Sequence, residues 1–95
     1  MIVRLMGDAQ YRVHDALRKR LETLDGQAMD ALGAENESEL DAKLDEMWEL
    51  VRGEGQRLPD EDLSASDALI PPSDLTLDET RKLFAEDGLI PDLPG

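Results

Sequence analysis

The chain has 95 residues, with 23 acidic against 10 basic side chains, a net charge of −13, and no cysteine. Disulfides, thiolate metal sites and cysteine nucleophiles are therefore excluded, and contact with phosphate backbones or anionic lipid headgroups is electrostatically opposed. Only Tyr11, Trp48 and Phe84 are aromatic, so the core must come from Leu, Val, Ile, Ala and Met, leaving little room for an enclosed pocket of about 300 Å³ or more.

The charge is unevenly placed. The first 33 residues carry five basic and five acidic groups, and the rest carry five and 18. This length predicts a single domain over residues 1–95. No run approaches the ~20 apolar residues of a membrane span. The opening residues show a strand pattern interrupted by Arg4, with no charged leader and apolar run, which together with the missing cysteines predicts a cytoplasmic protein.

Residues 1–13 read as a β-hairpin. Ile2 to Met6 is apolar and β-branched, Gly7-Asp8-Ala9-Gln10 has turn chemistry, and Gln10 to Val13 alternates. A period of two puts Val3, Leu5, Tyr11 and Val13 on the covered face and Ile2, Arg4, Met6 and Arg12 on the other. A helix is predicted over 14–33, with Asp15 at its start, Leu17, Leu21, Leu24, Ala28 and Leu32 as its stripe, and Gly33 as its stop. Asn36 with Glu39, or Ser38 with Asp41, can cap a second helix over 37–53. Its stripe is Leu40, Leu44, Met47, Trp48 and Val51. The short connection predicts an antiparallel αα-hairpin. Residues 56–75 read as an acidic loop ending in a short strand at Leu69-Ile70, confined to a sheet edge by Pro71-Pro72. Thr76 and Glu79 form a capping box for a third helix over 76–86 that turns Leu77, Leu83 and Phe84 inward. A tail follows over 87–95. The fold class is α+β: an N-terminal hairpin with a third short strand, packed on an αα-hairpin and a C-terminal helix.

No catalytic constellation emerges. His14 is the only histidine and reads as a surface residue at a strand–helix junction. Asp60 to Asp67 fails the calcium-loop spacing, since the sixth residue is Ala65 and the twelfth is Pro71. Asp41 with Asp45, and Glu46 with Glu49, read as a solvated helix face. No catalytic, cofactor or metal residues are therefore assigned. Trp48 is either a core residue at the helix seam or an interface anchor. Leu89-Ile90-Pro91 either packs on the core or meets a partner, and the sheet face of Ile2, Arg4, Met6 and Arg12 is a further partner-site candidate.

Two parts of the chain resemble the PspAA family, the small proteins associated with phage-shock protein A. One is Met1-Ile-Val-Arg-Leu-Met-Gly with Gln10-Tyr-Arg-Val13. The other runs through Leu58-Pro59, Leu63, Ser66-Asp67, Ile70-Pro71-Pro72, Asp74, Thr76-Leu77-Asp78-Glu79 and Asp87-Gly88-Leu89-Ile90-Pro91. The resemblance implies an accessory protein that binds or modulates PspA, a coiled-coil protein of the bacterial envelope-stress response. It brings no catalytic residue or cofactor, and membrane association would come only through that partner. Other readings are a small ligand-binding or sensory domain floored by the sheet, and a metal-dependent enzyme using Asp60 to Asp67.

Overall fold

The computed structural model describes residues 1–84 and residue 89. The hairpin is made by β1 (Ile2–Leu5) and β2 (Gln10–Arg12). Its turn closes through the Asp8 N–H donating to the Leu5 carbonyl at 2.8 Å. Gly7 sits third in that turn with φ 85°, a left-handed conformation that glycine adopts without a Cβ clash.

From the hairpin the chain enters α1 (Asp15–Gly33), then α2 (Glu37–Glu54), which pack as an antiparallel pair. Three boundaries differ from the sequence reading. His14, not Asp15, is the N-cap of α1, its Nδ1 accepting the Leu17 N–H at 3.2 Å. Gly33 is the last helical residue and not the stop. The chain reverses at Glu35, with φ 56°. There the Glu35 N–H reaches Leu32 O at 3.1 Å and the Asn36 N–H reaches Ala31 O at 2.9 Å, the paired bonds of a Schellman ending. Asn36 then caps α2 through the Glu39 N–H, and α2 continues through Gly53 before Gly55 ends it.

Directly after α2 comes a two-residue strand with no sequence signal, β3 (Gln56–Arg57), antiparallel to β2. β4 (Ala68–Ile70) lies at the opposite edge, as Pro71-Pro72 requires, but parallel to β1. The resulting order is β3-β2-β1-β4, with the first strand near the centre. Val3 sits opposite both Tyr11 and Ala68, and Leu5 opposite Ile70. This face, with Val13, is buried against Leu17 and Leu21 of α1 and Leu44, Met47 and Val51 of α2. Each such leucine withdrawn from water contributes about 1.5–3 kcal/mol.

α3 (Leu77–Leu83) starts at the predicted capping box and ends at Phe84, short of residue 86. It turns Leu77, Thr80 and Phe84 inward and leaves Leu83 38% exposed. The inward placement that the sequence predicts for Leu83 does not hold. The inward face instead follows positions 77, 80 and 84, and the Thr80 hydroxyl is satisfied there by donating to Thr76 O at 3.0 Å. Among the described residues no helix is long and apolar enough to cross a membrane.

Candidate partner-binding surfaces

The outer face of the sheet gathers Ile2 and Arg4 from β1, Arg12 from β2, Gln56 from β3 and Leu69 from β4. Ile2 stands opposite Arg12, and Arg4 opposite both Gln10 and Leu69. Arg4 and Arg12 are exposed, Ile2 is half-buried, and Met6, in the turn, is 37% exposed. This face is not an open basic patch, because the acidic loop between β3 and β4 is tied to it. The Leu58 N–H donates to Gln10 O at 2.9 Å and the Ser66 hydroxyl to Gln10 Oε1 at 2.6 Å. Asp67 and Ile2 exchange bonds of 2.8 Å in both directions.

Within the loop, hydrogen bonds from Ser64 hold the Asp62 carboxyl below the ordinary carboxylate range, and the Arg12 charge adds to the effect. Arg57 approaches Asp60 at 3.8 Å. The loop therefore sets acid against the sheet's arginines. It also carries Leu63, which is 95% exposed.

The second candidate lies on α2. Trp48 is half-buried, and its indole N–H donates to the Pro71 carbonyl at 2.9 Å. It therefore serves the seam between α2 and the segment after β4 while keeping part of its ring in reach. A cleft of about 430 Å³ opens beside it, walled by Asp45 and Glu49 on α2 and by Pro72 and Asp74 across from them. A neighbouring groove of about 480 Å³ runs between α1 and α2 over Leu24 and Leu50, with Arg20, Glu46 and Glu49 at its rim. Arg20 is engaged there by Glu54, with both carboxylate oxygens within 2.9 Å of Nη1.

The third candidate divides. Leu89 is buried, and its N–H donates to Asp25 Oδ1 at 2.9 Å, so this residue belongs to the protein's own core. Ile90 and Pro91 lie outside the described residues. His14 is exposed and occupied as a helix cap. Among the described residues, no group of three or more His, Cys, Asp or Glu side chains is placed to hold a metal ion, Asp60 to Asp67 included.

The walls of the Trp48 cleft come from segments distant in the sequence. Asp74 is far from Asp45 in the chain, and the Trp48 bond to the Pro71 carbonyl helps hold its segment against α2. The four-residue spacing of Glu37, Asp41, Asp45 and Glu49 was a visible signal, and it places these acids along one line of α2.

A family model described as PspAA, PspA-associated protein, matches residues 1–92. Comparison with curated proteins finds no match, and neither does comparison with solved structures.

Proposed function

Because this chain belongs to the PspAA family of PspA-associated proteins, we propose that it is a non-enzymatic accessory protein that binds PspA and modulates it in the envelope-stress response. The family match across residues 1–92 carries this reading. The chain's own chemistry supports it. A net charge of −13 disfavours direct docking to anionic lipid or nucleic acid. On this reading the protein works in the cytoplasm and reaches the inner membrane face only through its partner. The surfaces offered for that partner are the sheet face of Ile2, Arg4, Met6 and Arg12, and the α2 surface around Trp48.

The ligand-binding alternative needs a cavity over the sheet. The residues that would floor and roof it, Val3, Leu5, Leu17, Leu21, Leu44 and Ile70, have no exposed surface and pack against one another. The test is co-purification of the intact protein with full-length PspA at physiological salt. A stable complex is expected, and absence of association across low and physiological salt would count against the proposal.

A further inference from the structure

Among the described residues, the acidic line on α2 has no ion-pair partner. Glu37, Asp41, Asp45 and Glu49 follow one another at four-residue intervals, about 6 Å apart along the helix axis, and like charges so placed repel. Asp41 shows the effect. Its carboxyl is pushed above its ordinary range, first by partial burial and then by the Glu37 and Asp45 charges. Among the described residues no ion pair reaches any of the four, whereas Lys43 on the adjacent flank meets both Glu39 and Glu46 within 3.8 Å. The line ends in the cleft beside Trp48, where Asp45 and Glu49 face Asp74. The indole there is fixed by its bond to Pro71. Among the described residues of the cleft wall, Arg52 is the one cation, and it pairs with Asp8 at 3.5 Å.

A fixed aromatic face bordered by three carboxylates suits a guanidinium or ammonium group, which gains from the ring and the charges together. The 6 Å step suits further cations repeated about every four residues on a helix. A phosphate-bearing polymer or an anionic lipid is repelled by the same groups, so the matching occupant is a basic protein segment. We propose that this surface docks a basic helix of a protein partner, with one arginine or lysine seated in the cleft against Trp48 and others following the line Asp45, Asp41, Glu37. The proposal rests on the reading of this chain as a partner-binding accessory and names the surface that does the binding.

Trp48 is the only tryptophan, so its emission reports occupancy directly. The intact protein is titrated with a helix-forming peptide bearing arginine at every fourth position, and with a matched peptide bearing glutamate there. A saturable change in Trp48 emission is expected with the arginine peptide alone. The exposed double variant Asp45→Lys/Glu49→Lys, checked for an unchanged circular dichroism spectrum, should bind that peptide about tenfold or more weakly. No emission change with the arginine peptide, or equal affinity in the double variant, overturns the proposal. Co-purification with full-length PspA separates the two readings. Wild-type protein that retains PspA while the double variant loses it supports both. Equal retention overturns the cleft as the PspA site and leaves the accessory function standing. Failure of the wild type to retain PspA counts against that function, and the peptide titration still decides the cleft.

Discussion

The Asp25 carboxylate, midway along α1, accepts the backbone N–H of Leu89 at 2.9 Å across 64 residues of sequence. Both residues are buried. A buried carboxylate is costly unless hydrogen-bonded, and this bond anchors the chain beyond α3 to the middle of the first helix.

Replacing Asp25 with Ala removes the acceptor and leaves the Leu89 N–H unsatisfied. A loss of about 1–3 kcal/mol is expected in urea unfolding, with faster hydrogen exchange at the Leu89 amide. Asp25→Asn keeps an oxygen in place and should lose less. Equal losses in the two variants would show that the bond to Leu89 is not what makes the position matter.

Glu35 holds a left-handed conformation that disfavours a side chain. Its compensation is an exposed pairing with Arg81 at 3.8 Å, the kind of contact that contributes about 0–1 kcal/mol. Glu35→Gly should therefore stabilise the protein by about 0.5–1 kcal/mol, read as a rise in thermal midpoint. A fall would mean that Arg81, which also donates to Leu32 O at 3.4 Å, depends on Glu35 for its position.

Gly55 matters for a different reason. Its backbone is ordinary and extended, but a Cβ there would stand 2.6 Å from the Val51 carbonyl oxygen and 3.3 Å from the Tyr11 Cβ. Gly55→Ala must push α2 away from β2 and should cost about 1–3 kcal/mol. Gly53, where an added Cβ meets nothing within 4 Å, is the control. Gly53→Ala should be neutral or stabilising on the same denaturation curve.

The capping box of α3 has a pH signature. The Thr76 N–H, then its side chain, hold the Glu79 carboxyl below its ordinary value of 4.5. A depressed folded-state value means that the contribution is present above pH 4.5 and is lost as pH falls through the folded value. The stability difference between wild type and Glu79→Gln should therefore shrink on acidification below about pH 4.5. Thr76→Ala, which removes the cap to the Glu79 N–H, should cost about 1 kcal/mol at neutral pH.

Much of this architecture is legible from periodicity and punctuation. Val3, Leu5, Tyr11 and Val13 alternate into the core as read, Thr76 and Glu79 announce α3, and Pro71-Pro72 put β4 at an edge. What escapes depends on contacts between distant residues. β3 is Gln56-Arg57, both exposed, and it follows Gly55, where the chain passes close to Tyr11 of β2. The parallel direction of β4 has no local signature. Asp25 is buried with Leu21, Ala28 and Leu32 at helical spacing, a position that the acidic residue type does not announce. His14 displaced Asp15 as the cap because imidazole Nδ1 reaches the Leu17 N–H from one position earlier. At the candidate site, Trp48 and the acids of α2 could be read in advance, but the opposing wall at Asp74 could not.

The parallel pairing of β1 with β4 also has a kinetic side. β1 precedes β4 in the chain, so during synthesis one of its edges lacks its strand partner until residues 68–70 have left the ribosome. Until then the nascent chain presents a short apolar strand whose only charged residue is Arg4, flanked by Val3 and Leu5. Strand edges of this kind are where unfinished chains associate with one another. Fragments ending before residue 68 should therefore aggregate even with both long helices present, and the sparing use of charge in the central strand makes soluble expression depend on completing the second half of the protein.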